Sequence, residues 1–144
     1  MPIVQFHLVA DHYPDAAIAA LLEEASIFYV DTLYPTLDPR PIERVRAFVS
    51  PVPAEHFATG GRLVSLGGVA APYFTCLSLE GRPVEQLQAL LAGFTDLIER
   101  HLRCDRATIR GTVVEIAPAL WSIGGVPASQ ARDTEKALRA GISP

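Results

Sequence analysis

The sequence predicts an α+β fold in which two βαβ repeats form one four-stranded mixed sheet with both helices on one face. Three observations support this fold class. A strand-like apolar run that opens with proline occurs twice, at residues 2–9 and 72–79. Helix signals and then a β-rich run follow each copy. Double glycines at 60–61 and 124–125 lie 64 residues apart, and the leading prolines lie 70 apart, so the motifs recur in the same order.

The first repeat is assigned to residues 2–65. After its opening strand, a helix is predicted over residues 15–33, because Pro14 and Asp15 are typical of a helix start. A β-rich run at 44–49 supplies the second strand. This copy has about six more residues between helix and second strand than the other copy. The insertion contains three prolines, which predict a loop.

The second repeat is assigned to residues 72–132. Its helix starts at Pro83, a favourable residue for a first turn, and its apolar side chains recur at helical spacing. A strand is predicted at 108–114. The segment between the repeats is too short for a domain linker, so residues 1–144 are interpreted as a single domain. Residues 133–138 have the pattern of a short, partly exposed helix in a C-terminal tail.

Composition restricts the possible classes of protein. Of the 144 residues, 49% are hydrophobic and 19% are charged. This is apolar for a chain of this size and favours a surface that other subunits cover. The net charge of −4 and the lack of a basic run argue against nucleic-acid binding. No apolar run approaches the roughly 20 residues that span a bilayer, and the chain start lacks a signal-peptide pattern. We therefore expect a cytoplasmic protein that does not enter membranes.

The cysteines and histidines form no recognisable metal or redox motif. Cys76 and Cys104 lack CxxC spacing, and the four histidines lack metal-ligand spacing. We therefore expect no disulfide and no bound metal. Both cysteines are interpreted as small core or helix-end residues.

The start of the chain supplies a candidate catalytic group. Removal of Met1 would leave Pro2 as a free secondary amine at the end of an apolar strand. An α-amino group ordinarily titrates near pH ~8, and burial or neighbouring cations lower that value. Such an amine can accept a proton at physiological pH. The alternative is that Met-Pro is only a common way for a chain to start.

The ordered set of motifs resembles the tautomerase superfamily, whose founding member is 4-oxalocrotonate tautomerase. The second repeat resembles it over nearly its whole length, from Pro72 through the Glu-Gly-Arg segment to the double glycine. The first repeat has His12 where the second has Arg82. The resemblance implies a fused two-copy member, related to cis-3-chloroacrylic acid dehalogenase and malonate semialdehyde decarboxylase, that assembles as a homotrimer.

The resemblance also implies the reaction. In this family the amino-terminal proline is the general base or acid, which makes Pro2 the catalytic residue. Pro72 matches it in position, but its nitrogen is an internal amide without basicity. The implied reaction is keto–enol proton transfer on a small carboxylated enol or 2-oxo acid, without a cofactor or metal.

The implied substrate-binding residues are Arg82, Arg110, Arg46, Trp121 and Phe57. An arginine in the position of Arg82 binds a substrate carboxylate, and one in the position of Arg110 or Arg46 polarises the carbonyl end. An aromatic residue in the position of Trp121 or Phe57 forms an apolar wall. Structural roles stay open: Arg46 and Arg110 are also typical of interface strands, and Trp121 of a core.

The branch of the family is harder to assign. Dehalogenase-like members carry histidine, tyrosine and glutamate where this chain has Phe28, Thr112 and Ile123. Decarboxylase-like members add an aspartate, and Glu43 lies only roughly in that place. Keto–enol tautomerisation is therefore preferred, and a decarboxylase- or dehalogenase-like lyase or hydratase is the alternative. A non-catalytic trimeric module that binds a ligand is an alternative from another class.

Overall fold

Both repeats contribute strands to one sheet in the computed structural model, which describes residues 2–131. The elements in chain order are β1 (Ile3–Val9), α1 (Asp15–Leu33), β2 (Arg46–Val52), β3 (Ala58–Thr59), β4 (Arg62–Leu63), β5 (Tyr73–Leu79), α2 (Val84–Leu102), β6 (Arg110–Ile116), β7 (Ser122–Ile123) and β8 (Val126–Pro127). The short helix predicted at 133–138 lies outside the described residues.

The four long strands form a mixed sheet in the order β2-β1-β5-β6. Within each repeat the two strands are parallel, as a βαβ crossover requires. The repeats join through the antiparallel pair β1–β5. The predicted fold class is therefore confirmed. The antiparallel junction also relates the repeats by an approximate two-fold rotation, which places equivalent motifs at opposite ends of the sheet.

Both helices pack against one face of the sheet and bury an aromatic cluster centred on Phe94 of α2. The Phe94 ring centroid lies 5.0 Å from that of Tyr29 on α1 and 5.1 Å from that of Phe28. It lies 6.1 Å from Phe6 on β1 and 5.7 Å from Phe74 on β5. One side chain thus links both helices to both central strands. Burial of these rings therefore stabilises the contact between the two repeats.

The predicted helices match the structure, whereas the second strand of each repeat starts later than predicted. Short 3₁₀ turns, Ile42–Arg44 and Arg106–Thr108, precede β2 and β6, so both strands begin two residues after the predicted starts. Strand β2 also continues through Pro51. Proline is tolerated there because β2 is an edge strand and need not donate a hydrogen bond on its outer side.

Each repeat ends in a small hairpin, β3–β4 or β7–β8, which was not predicted from the sequence. The double glycines form the hairpin turns, with φ of 60° and 80° at Gly60 and Gly61 and of 58° and 87° at Gly124 and Gly125. Two consecutive positive φ values are typical of a tight hairpin turn and favour glycine. The repeated glycine pair was therefore also a turn signal.

The sheet face away from the helices stays partly open in the single chain. Apolar side chains on it are substantially exposed: Phe48 by 42%, Val114 by 40% and Tyr73 by 39%. Apolar groups in the middle of a sheet face are typical of a surface that another chain covers. Among residues 2–131, no helix combines the length and the apolar character needed to cross a membrane.

Candidate active site

The antiparallel pairing of β1 with β5 decides which motifs meet. Ile3 pairs with Leu77, so Pro2 lies at the end of the sheet where β5 finishes and the Arg82 segment begins. At the other end His7 pairs with Tyr73. The proline of each repeat therefore adjoins the loop that follows the first strand of the other repeat.

A small pocket forms at the Pro2 end of the sheet. It is lined by Pro2, Leu33, Tyr34, Ser78, Leu79 and Arg82. Pro2 and Ser78 are buried, and the Ser78 hydroxyl donates to the Leu79 carbonyl at 3.4 Å. The pocket volume is about 10 Å³, which is close to the space that a single water molecule needs. The single chain thus joins the candidate amine and one candidate cation but offers little room for a substrate.

Arg82 is fixed by contacts to the end of α1 and the start of α2. Its Nη1 donates to the Leu33 carbonyl at 2.8 Å and to Gln86 Oε1 at 3.2 Å. Its Cζ lies 5.0 Å from the centroid of the Tyr34 ring, within cation–π distance. The Arg82 Nε is buried and has no hydrogen-bond partner among residues 2–131. An unpaired buried donor costs about 1–3 kcal/mol. A ligand with a hydrogen-bond acceptor near this nitrogen would remove that cost.

Tyr34 is a pocket residue that was not predicted from the sequence. It lines the pocket and lies directly before the proline-rich insertion. The Cζ of Arg44, which follows the insertion, lies 5.9 Å from the Tyr34 ring centroid. Arg40, inside the insertion, pairs with Asp31 of α1 at 3.0 Å. The insertion is therefore tied back to the helix beside the pocket, and its proline content was the only sequence signal.

Arg46 and Arg110 lie at opposite ends of the sheet. Arg46 pairs with Ile3, and its backbone N–H donates to the Pro2 carbonyl at 3.0 Å. The Arg110 N–H donates in the same way to the Pro72 carbonyl at 3.1 Å. Both side chains are exposed, and neither lines the pocket. Each Nη1 instead donates to carbonyls of the turn before its own strand.

Phe57 and Trp121 precede the two hairpins and do not line the pocket either. Both are partly buried. The Trp121 carbonyl accepts from Ala128 at 2.7 Å, and the Phe57 carbonyl accepts from Val64 at 2.9 Å. The Trp121 Nε1 is buried without a partner among the described residues. Strand β6 ends beside Leu79, so the hairpin that follows Trp121 lies at the Pro2 end of the sheet. Strand β2 ends beside Val9, so the hairpin that follows Phe57 lies at the Pro72 end.

The positions associated with the other branches are not part of the pocket of the single chain. Phe28 packs against Phe94 in the core. Glu43 is exposed in the turn before β2, where its backbone carbonyl accepts from Arg46 at 2.8 Å. Neither position supplies a carboxylate or an imidazole to the pocket.

Several buried acidic groups stay protonated at neutral pH. Burial raises the pKa of the Cys76 thiol to about 12 and that of the Tyr13 phenol to about 12. Burial also raises the pKa of Tyr29, whose hydroxyl donates to the Leu77 carbonyl at 2.5 Å. These groups are structural hydrogen-bond donors, so none of them is a good candidate for a base or a nucleophile.

The second repeat matches a known family. Residues 72–131 match the family model described as "Tautomerase enzyme". The second repeat therefore carries the sequence pattern of this family. This match confirms that the second repeat is the closer to the family pattern.

Proteins similar to this chain include one probable tautomerase and two solved fused 4-OT structures. The probable tautomerase RSp0893 of Ralstonia nicotianae (strain ATCC BAA-1114 / GMI1000) is 29% identical over 69 residues, which are 48% of this chain and 99% of the relative. A native fused 4-OT crystal structure is 27% identical with a TM-score of 0.78, covering 89% of this chain and 97% of that chain. The F6 fused 4-OT wild type asymmetric trimer is 23% identical with a TM-score of 0.77, covering 90% and 98% respectively.

Proposed function

We propose that this protein is a tautomerase that moves a proton between carbon and oxygen of a small carboxylated enol or 2-oxo acid. The observation that carries the proposal is that Pro2 and Arg82 line the same pocket. A base beside a fixed cation is the minimum that enolisation next to a carboxylate requires.

In the proposed mechanism Pro2 is the first residue of the mature chain. Its amine nitrogen takes a proton from one end of the keto–enol system and returns it to the other, so the nitrogen ends each cycle neutral. Burial of Pro2 and a nearby guanidinium both favour the neutral, proton-accepting amine. Pro72 is also buried, but its amide nitrogen carries no basic lone pair and cannot share this role.

Arg82 is proposed to bind the substrate carboxylate. Both of its hydrogen bonds to described residues use Nη1. The Nε and Nη2 nitrogens share one edge of the planar guanidinium and present parallel N–H groups, which suit a carboxylate bound by two hydrogen bonds. The unpartnered Nε belongs to this edge.

We further propose that the active form is a homotrimer and that neighbouring protomers complete each pocket. The exposed apolar side chains on the open sheet face support such an interface, and a fused 4-OT of the same fold is a trimer. Arg46 or Arg110 would polarise the carbonyl, and Trp121 or Phe57 would close the pocket against water. Completion by a neighbour also accounts for the small pocket of the single chain.

The test combines intact mass, chemical labelling and one substitution. The purified protein should lack Met1 and should turn over an enol acid such as phenylenolpyruvate. At neutral pH, 3-bromopropiolate should add to the Pro2 nitrogen selectively. Pro2→Ala should lose turnover and keep its carboxylate ligands. Retention of Met1, or full turnover by Pro2→Ala, would contradict the proposal.

The same preparation separates the alternatives. Turnover of malonate semialdehyde or of a 3-haloacrylate with negligible enol-acid turnover would identify a lyase or hydratase that uses the same amine. Ligand binding that is unchanged in Pro2→Ala, with no turnover of any of these acids by the unsubstituted protein, would identify a binding module.

A further inference from the structure

Gln86 uses both ends of its side-chain amide to connect Arg82 to α1. Its Oε1 accepts from Arg82 Nη1 at 3.2 Å, and its Nε2 donates to the Thr32 carbonyl at 2.7 Å. Arg82 Nη1 also donates to the adjacent Leu33 carbonyl at 2.8 Å. The Arg82 guanidinium is thus held by three contacts: the Leu33 carbonyl, the Gln86 side chain of α2 and the Tyr34 ring.

The end of a helix is a suitable anchor for these groups. The last four carbonyls of an α-helix have no partner within the helix, and this end carries partial negative charge. Thr32 and Leu33 belong to that last turn of α1. Both the Gln86 amide and the Arg82 guanidinium therefore satisfy carbonyls that would otherwise be unpaired, and the site gains a fixed cation.

We propose that Gln86 is a positioning residue for Arg82: it occupies Nη1 so that the Nε and Nη2 edge stays free for the substrate carboxylate. This inference rests on the proposed function and names a residue that the proposed reaction does not itself require. Without Gln86, Nη1 has one acceptor fewer, and the guanidinium can rotate so that its second edge no longer points to one place.

The internal repeat supports this role. Gln86 is the third residue of α2, and the third residue of α1, a helix of the same length, is Ala17. When the repeats are aligned on their leading prolines instead, Arg82 corresponds to His12, and Gln86 again corresponds to an alanine, Ala16. At the sheet end where the proline nitrogen is an amide, both the arginine and its glutamine partner are therefore missing. The glutamine is present only where a cation lines the pocket of the candidate amine.

The experiment compares Gln86→Ala with Gln88→Ala in the purified full-length protein. Gln88 is exposed on the same helix and provides a matched loss of one glutamine side chain. Steady-state kinetics with phenylenolpyruvate should show a rise in KM of about 10- to 100-fold for Gln86→Ala, since loss of a supporting contact misplaces the binding group. The kcat should change less than KM, and the pH dependence of kcat, which titration of the Pro2 amine would cause, should be unchanged.

A third variant, Gln86→Glu, tests the charge. The glutamate keeps an acceptor for Arg82 but cannot donate to the Thr32 carbonyl, and its carboxylate offsets the guanidinium charge. We expect a larger increase in KM for Gln86→Glu than for Gln86→Ala. Equal kinetics for Gln86→Ala and the unsubstituted protein, or a loss of thermal stability with KM unchanged, would overturn the inference and leave Gln86 with a structural role only.

An NMR readout does not depend on turnover. The Arg82 Nε–H signal, assigned by its loss in Arg82→Lys, should shift during titration with 2-oxobutanoate. In Gln86→Ala the same shift should need about 10- to 100-fold more ligand. An identical titration in both proteins would refute the positioning role. Absence of turnover and of Pro2 labelling in the unsubstituted protein would instead refute the proposed function, so the two failures are distinguishable.

Discussion

Arg82→Lys separates the charge of the guanidinium from its shape. Lysine keeps one positive charge in the pocket but has no planar edge with two parallel N–H groups. If the Nε and Nη2 edge binds the substrate carboxylate, the variant loses one of two charge-assisted hydrogen bonds. Such a bond contributes about 1.5–3 kcal/mol, and about 1.4 kcal/mol corresponds to tenfold. We therefore expect kcat/KM to fall by roughly 10- to 150-fold.

The assay compares phenylenolpyruvate with its methyl ester. The ester lacks the anionic carboxylate, so its turnover should be slow and nearly the same for both proteins. Arg103→Lys serves as the control, because Arg103 is exposed at the far end of α2 and outside the pocket. The Tm should also be measured, since the hydrogen bond from Arg82 to the Leu33 carbonyl is lost in the variant.

Two results would refute this reasoning about Arg82. One is an unchanged kcat/KM for the acid in Arg82→Lys. The other is an equal loss for the acid and the ester, because a general distortion of the pocket would not discriminate between them.

Three further predictions concern stability and assembly. Gly93→Ala should lower the free energy of unfolding by about 1–3 kcal/mol in urea titrations, because the added Cβ would lie 1.9 Å from the Phe28 ring. Alanine usually stabilises a helix relative to glycine, so an increase in the free energy of unfolding would contradict this packing. Burial raises the pKa of the Cys76 thiol from 9.0 to about 12. The stability that this thiol contributes is therefore complete below pH 9 and lost as the pH rises toward 12, and Cys76→Ala should show a weaker loss in urea titrations over that range. Val114→Glu should convert the proposed trimer to monomers in light scattering while helical circular dichroism persists. A trimer that stays intact would exclude the open sheet face as the interface.

Local signals in the sequence were sufficient for most of the fold. The residues of α1 were predicted without error because its proline start and its length are encoded locally. The second strands were misplaced by two residues because a 3₁₀ turn and a strand start look alike in an apolar run. The hairpins were not predicted, because a glycine pair indicates a turn or a loop without specifying that short strands flank it.

Only the site residues that belong to the repeated motifs or to the pattern of the resembled family could be predicted from the sequence. Pro2 and Arg82 were both named from the sequence, and they line one pocket. Tyr34 was not, because an aromatic residue at a helix end has no local feature that distinguishes a pocket wall from a core residue. Arg110, at the other end of the sheet, stays a prediction that depends on a neighbouring protomer.

The amino-acid order alone determined the number of repeats and the succession of strand and helix in each, because these depend on short-range periodicity. Only the tertiary structure decided how the two copies meet. An alternating strand pattern specifies which side chains share a face but not which strand lies alongside or in which direction it runs. The antiparallel contact of β1 with β5 makes that choice, and it brings the arginine of the second copy to the proline of the first.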